Sequence, residues 1–504
     1  MRGGGEEELK RAVRLAVESG YFLDEGAFRF LIEAKNPYDI MAKALSRMRE
    51  LSKETFIITA DLLGSIAREG VLREEGVKAP VKVLAERPVK MPLIRARDIE
   101  PDIRVLEDAG REIALSDFLG YFKSRFEGLW KIFQQRSDTR DALPVVRATS
   151  TPDEEVRMIG MVRERRSKDG RAFLVFEDLE GSVPVLLPIE LAASAQRVFL
   201  DQVLCITVRR WRRMFIAREI VWPDIPDIEP NRADVPVYAV LTSDFHIGSK
   251  MFAEKAFGRF IRWLRGEYGD AALREVAQAV KYLIINGDLV DGVKVHSRER
   301  EEFVYKSIQD QYGRVAEYIK RIPDHITVVV SPGDHDATNT ALPHMPISRD
   351  HADALYECRD LIMVGNPALI SLHGVKVLLY HGEGLDDVIA TVPGFSYENV
   401  AEAMRLLLQC RHLAPIYGKG TGILPLPRDP LVIRERPDVF HTGHVHVFSQ
   451  AQHNRAIMIN SGCWQFETPY QRQKGLTPTA GIVPVLNLQT LSSITLDFTR
   501  EPYF

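Results

Sequence analysis

Five short segments of the 504-residue sequence carry side chains that bind divalent cations: Asp244-Phe245-His246, Gly287-Asp288 followed by Asp291-Gly292, Gly333-Asp334-His335-Asp336, His381-Gly382-Glu383, and Gly443-His444-Val445-His446. Oxygen and imidazole ligands without thiolate select hard or borderline ions such as Mn, Mg, Fe or Zn. Asp244, His246, Asp288, Asp334, His381, His444 and His446 are too many for one ion. If Asp288 bridges, they furnish two four-ligand sites completed by water, the arrangement of two-metal phosphoester chemistry. One D-x-H segment would mean little, because lone histidines on strands are mostly core residues. The order of five such segments carries the signal.

The elements that must position these residues are legible around them. VPVYAVLTS, KYLIING, HITVVVS, VKVLLYH, PDVFH and RAIMINS are short, mostly β-branched runs. Helical stretches such as AEKAFGRFIRWLRGEYG and VYKSIQDQYGRVAEYIKRI lie between several of them. The pattern predicts an α/β domain over 235–504, with each ligand segment closing a strand. Sites in open α/β sheets form at the carboxyl ends of strands.

In this order the motifs resemble those of the calcineurin-like metallophosphoesterase superfamily. LTSDFHIGS, INGDLVDG, SPGDHDA, PIYGKGTG, PDVFHTGHVH, NSGCWQ and TPTAGIVPVLNL further resemble the small subunits of archaeal family D DNA polymerases, from about residue 117 to the end. That resemblance implies a multidomain α+β chain: a helical N-terminal domain, an OB-type barrel and a C-terminal phosphoesterase domain built as a helix-flanked β-sandwich. It implies pairing with a large catalytic polymerase subunit and a 3′–5′ exonuclease, usually manganese-dependent, acting on single-stranded or mismatched 3′ ends of DNA. Contact with a sliding clamp is a further expectation. Asp244, His246, Asp288 and His446 would hold one metal ion, and Asp288, Asp334, His381 and His444 the other. His335 would be the non-ligand histidine that protonates the departing 3′-oxygen, with Asp336 orienting it. The family normally carries asparagine where this chain has Asp334. A carboxylate preserves an oxygen ligand and adds negative charge beside Asp288. An inactive scaffold for the large subunit and a stand-alone phosphoesterase are the alternative readings.

The rest of the chain has a different character. All 13 histidines lie at or after His246. His441 is placed to support the metal ligands from behind. His296, His325, His344, His351, His373, His412 and His453 match no ligand position and are expected on the surface or in loops, with His344 and Arg411-His412 able to approach a substrate. Residues 1–75 show helical periodicity, and 76–145 read as a proline-rich linker followed by an amphipathic helix. That helix carries Phe118, Phe122, Phe126, Leu129 and Phe133 on one stripe. Between 146 and 225 the period changes to two, giving five short strands suited to an OB-type barrel. There Arg163, Arg165, Arg166 and Lys168 form one basic cluster, and Arg209, Arg210, Arg212 and Arg213 another beside Trp211. Arginines interleaved with an aromatic can grip single-stranded nucleic acid, although a solvated rim or a protein-binding face accounts for them equally well.

The formal net charge of −4, from 66 basic and 70 acidic residues, excludes a globally basic nucleic-acid binder. Cys205, Cys358, Cys410 and Cys463 show no C-x-x-C spacing, which argues against a thiolate zinc site and a disulfide scaffold. The start lacks a signal-like apolar core and no run reaches membrane-span length, so no membrane role is expected and the chain reads as cytoplasmic.

Overall fold

A computed structural model describes residues 95–110, 117–151, 155–212, 214–292, 304–305 and 307–500, together with scattered positions among the first 58. The chain divides into two units, Met1–Val83 and Leu84–Phe504. In the first, Phe22–Leu23 pair in parallel with Ile57–Ile58, a strand pair that the helical periodicity does not anticipate. Most of the helical expectation for 1–75 lies outside the described residues.

In the second unit, strand β1 (Ile103–Asp108) and helix α1 (Phe118–Gln135) precede a closed barrel. The barrel strands are β2 (Glu155–Lys168), β3 (Arg171–Glu177), β4 (Ser182–Leu187), β5 (Val203–Trp211) and β6 (Met214–Val221). They pair in the order β2-β3-β4-β6-β5, and β5 returns to β2 to close the ring. Only β4 and β6 run parallel within it. Alternation drives this closure: Ala172, Leu174 and Phe176, and likewise Val183, Val185 and Leu187, point inward while their neighbours face out.

Two six-stranded sheets follow. One has the order β10-β9-β8-β7-β16-β17, from β7 (Tyr238–Thr242), β8 (Val280–Asn286), β9 (Thr327–Ser331), β10 (Ile362–Met363), β16 (Ile482–Asn487) and β17 (Ser493–Asp497). The other has the order β14-β15-β13-β12-β11-β1. Its remaining strands are β11 (Ala368–Leu372), β12 (Val375–Leu379), β13 (Val439–Thr442), β14 (Ser449–His453) and β15 (Ala456–Asn460). Leu241, Tyr282, Ile284 and Val329 from the first sheet meet Ile370, Val377, Leu379, Val439 and Ile459 from the second in one core. The outer faces are covered too. Val240, Leu283, Ile285 and Val330 pack beneath helices α2 (Glu254–Leu264) and α3 (Ile308–Ile319), and Leu369, Leu378 and Phe440 beneath α5 (Gly384–Thr391) and α6 (Val400–Cys410). Burial on both faces explains why the central strands read as continuous apolar runs. Helix α4 (Arg349–Cys358) packs beside α3.

Two expectations change. The stretch read as a linker ends in β1, which pairs antiparallel with β11 at the sheet edge. The stripe expected on α1 is displaced: Phe118 is 40% exposed, whereas Tyr121 and Arg125 are fully buried alongside Phe126, Leu129 and Phe133. The physical reason is that α1 is clamped on two sides. Tyr121 enters the core under α5 and α6, while Phe126, Leu129 and Phe133 pack on Ile159, Met161, Val203 and Cys205 of the barrel.

Candidate metal centre

The first sheet delivers Asp244 and His246 after β7, Asp288 after β8 and Asp334 after β9. The second delivers His381 after β12, and His444 and His446 after β13. The strand ends are stapled together. The Asp244 N–H donates to the Gly287 carbonyl at 2.9 Å and that of His246 to the Asp288 carbonyl at 3.0 Å. The His444 N–H reaches across to the Asp244 carboxylate at 3.0–3.1 Å, joining the two sheets. Asp244, His246, Asp288, His444 and His446 all take positive φ, between 48° and 67°. Non-glycine residues adopt this left-handed region at a cost, and here the neighbouring strands enforce it. Gly333 is required by close approach: a Cβ there would overlap Asp288 Oδ1 and lie 2.7 Å from His381 Nε2.

The side chains converge. His246 Nε2 lies 2.9 Å from His446 Nε2 and 3.5 Å from Asp288 Oδ2. His446 Nε2 is 3.4 Å from Asp244 Oδ1. On the other side, His381 Nε2 is 3.4 Å from Asp288 Oδ2 and 3.5 Å from Asp334 Oδ1, and His444 Nδ1 is 3.2 Å from Asp334 Oδ1. Ligand atoms of Asp244, His246 and His446 lie within 4.8 Å of one another, as do those of Asp334, His381 and His444, with Asp288 between the two groups.

This donor set fits divalent cations. The clearest sign is His381: its Nδ1 donates to the Asn286 carbonyl at 2.8 Å, while its buried Nε2 makes no hydrogen bond and faces three carboxylates. A fixed tautomer with an acceptor nitrogen aimed at carboxylates is how a protein prepares a metal ligand. Without ions the charges lean on one another. Burial opposes ionisation of Asp288, but His381 and His335 hold its carboxyl well below the usual range. Burial likewise disfavours a charged His381, yet Asp288, Asp334 and Asp244 raise it well above the usual imidazole value.

Supporting contacts come from Asp291, which the motifs already singled out, and from Asp386, Gln471 and Asn366, which they did not. Asp291 Oδ1 bonds His246 Nδ1 at 3.0 Å, Asp386 Oδ2 faces His444 Nε2 at 3.3 Å, and Gln471 Nε2 lies 2.7 Å from His446 Nδ1. Asn366 Oδ1 accepts from the His381 N–H at 2.9 Å. His441 is linked to Asp244 through a buried chain: its Nε2 bonds Ser461 Oγ at 3.1 Å, Ser461 Oγ bonds Ser243 Oγ at 2.7 Å, and Ser243 bonds the Asp244 carboxylate.

His335 stands beside the cluster, its ring edge-on to His246 at 4.9 Å and its Nδ1 donating to the Asp291 carbonyl at 2.8 Å. Asp336 does not orient it. Its oxygens accept from Tyr312 Oη (3.0 Å), Gly333 N (3.0 Å) and Leu289 N (3.3 Å), so it braces the loops instead. Burial and the nearby Asp288 push the Asp336 carboxyl up to about 7.

Other histidines depart from expectation. His344 is buried, with Nδ1 3.3 Å from both Asn366 Nδ2 and Glu383 Oε1. His412 is buried against Asp429 at 2.9 Å, and Arg411 donates to the Arg434 carbonyl at 2.6 Å. None of the three can reach a substrate. His453 is partly buried on Asp224, His351 is exposed, and His296 lies outside the described residues.

The two arginine clusters occupy opposite ends of β2, because Glu155 pairs with Arg209 while Arg163–Lys168 lie towards the other terminus. Arg163 bonds Glu177 at 3.1 Å, Arg165 donates to the Ala195 carbonyl at 3.2 Å, and Arg166 faces Glu164 at 3.4 Å. Arg210 donates to the Thr151 carbonyl at 3.0 Å, and Arg212 lies over Trp211 at 5.1 Å. Arg209 is exposed and Arg213 lies outside the described residues.

Residues 240–450 match the family of DNA polymerase alpha/epsilon B-subunits. The DNA polymerase II small subunit of Methanothermobacter thermautotrophicus is 32% identical over 476 residues, covering 93% of this chain and 96% of its own length. That of Archaeoglobus fulgidus is 36% identical over 371 residues, covering 74% and 75%. Among solved structures, Vacuolar Protein Sorting 29 from Cryptosporidium parvum aligns with 52% of this chain and 97% of its own at 15% identity and a TM-score of 0.24, too slight a superposition to bear on the fold. With a relative matched almost end to end, the chain belongs to the archaeal DNA polymerase II small subunit family.

Proposed function

We propose that this chain is the nuclease-bearing small subunit of a replicative DNA polymerase, a manganese-supported 3′–5′ exonuclease that removes unpaired terminal nucleotides. It would act beside a large catalytic subunit, with its barrel serving as an OB-type module. The observation that carries the reading is the double cluster around Asp288, with the hydrogen-bond-free Nε2 of His381 facing it. Asp244, His246, Asp288 and His446 would hold one ion, and Asp288, Asp334, His381 and His444 the other. When bound, such a pair neutralises phosphate charge and lowers the pKa of an attacking water.

The chain's own groups do the rest. Water adds to phosphorus, the bond from phosphorus to the upstream 3′-oxygen breaks, and a nucleoside 5′-monophosphate leaves. The Asp291 carbonyl fixes Nδ1 of His335 as the proton-bearing nitrogen that faces the protein. Nε2 then carries a proton only in the imidazolium form of the ring, and it is from that form that it would hand a proton to the departing 3′-oxygen, leaving the neutral Nδ1–H ring behind. The Asp334 carboxylate, 3.2 Å from His444 Nδ1 and 3.5 Å from His381 Nε2, would serve as an oxygen ligand.

The test is digestion of 5′-labelled single strands and mismatched primers by the purified chain with Mn²⁺. Shortening from the 3′ end is expected, abolished in Asp288→Ala and slowed about 10²–10⁴-fold in His335→Ala. No digestion by a chain shown to bind both ions would overturn the reading and leave a scaffold subunit.

A further inference from the structure

An aromatic rim borders the centre on its His444–His446 side. Tyr470 is 65% exposed and Phe466 46% exposed, both in the segment whose glutamines reach the centre. Gln465 Nε2 donates to Ser249 Oγ at 2.8 Å and to Asp291 Oδ1 at 3.2 Å, and Gln471 contacts His446. A capping box fixes the backbone of this turn: the Thr468 side chain accepts from the Gln471 N–H at 3.2 Å, and the Gln471 side chain accepts from the Thr468 N–H at 3.0 Å. Lys474 Nζ lies 5.7 Å over the Tyr470 ring.

We infer that Tyr470 and Phe466 form a stacking platform for unpaired bases of a DNA strand entering the centre, with Lys474 beside its backbone. This rests on the exonuclease reading for the strand's destination. Two large aromatic side chains held in water by a fixed turn cost solvation, and the neighbouring residues of that turn already serve the site. Every base presents a π-face, so stacking captures single strands without regard to sequence, and an ammonium beside the ring favours phosphate. A duplex end, with its bases already stacked, offers the platform less. The rim therefore favours frayed or mismatched 3′ ends over paired ones.

The full chain, without added divalent ions, is titrated against a labelled oligothymidylate and against a strand carrying 2-aminopurine at its 3′ end. Tyr470→Ala is expected to weaken binding about tenfold and to relieve the fluorescence quenching that stacking causes. Tyr470→Phe should restore both, and Phe466→Ala should give a similar loss. Unchanged affinity and quenching in Tyr470→Ala, with thermal melting showing it folded, would overturn the platform. So would a loss that Tyr470→Phe does not repair. Because binding is read without hydrolysis, a chain that shows this pattern yet fails to digest DNA with Mn²⁺ keeps the platform and loses the exonuclease.

Discussion

At the scale of single residues, Asp386, Asp291 and Gln471 matter because each faces the far nitrogen of an imidazole in the cluster. Such partners fix the tautomer and orientation of a metal ligand, and removing them typically lowers metal affinity about 10–100-fold. Asp386→Asn and Gln471→Ala should each weaken Mn²⁺ binding to that extent by calorimetry while leaving the thermal unfolding profile near that of the parent. Unaltered affinity in both would mean that the ligands need no support. The seven residues that converge could be picked out in the sequence because each follows a strand in a short polar motif. Asp386 and Gln471 could not, because they sit on helices with no fixed spacing to those strand ends. Histidine burial was equally hidden. Nothing in the local sequence of His344 or His412 distinguishes a buried, hydrogen-bonded ring from an exposed one.

At the scale of elements, α1 is the joint between barrel and sandwich. Arg125 lies on its buried face and donates through Nε to Asp429 Oδ2 at 2.8 Å and through a terminal guanidinium nitrogen to the Pro415 carbonyl at 3.2 Å. Ser124 Oγ accepts from the Asp429 N–H at 2.7 Å. Both ionic side chains are essentially inaccessible. Removing one partner leaves a buried charge, so Arg125→Met is expected to destabilise the chain by about 3–5 kcal/mol in urea unfolding. A loss below about 1 kcal/mol would show that water enters the joint. The position of α1 along the sequence was legible from its 3.6-residue period, and so were the barrel strands from their alternation. The seating of α1 was not, because a helix gripped from two sides buries a wider arc than an amphipathic stripe marks. The edge pairing of β1 with β11 also escaped sequence reading, since nothing local names so distant a partner.

At the scale of the whole molecule, the same joint sets a response to acid. His412 donates through Nε2 to Asp429 and accepts the Ala414 N–H at Nδ1, so its ring has no room for a second proton. Burial and the neighbouring Arg125 lower its pKa to about 4. A depressed folded value means stability that is complete above the unfolded value, near 6.5, and lost as pH falls towards 4. Burial opposes ionisation of Asp429, but His412 and Arg125 hold its carboxyl well below the usual range, which extends the loss to more acidic pH. Unfolding free energy should fall by up to about 3 kcal/mol between pH 6.5 and 4. In His412→Gln that slope should be shallower, the remainder coming from His441, whose burial likewise pushes its pKa down, to about 3, and an equal slope in both would place the acid sensitivity elsewhere.

The left-handed backbone at Asp244, His246, Asp288, His444 and His446 has an evolutionary consequence. Each position would sit more comfortably as glycine or asparagine, so the fold itself exerts a steady pull away from these ligands. A chain that keeps aspartate and histidine at these five positions carries that backbone cost at each of them.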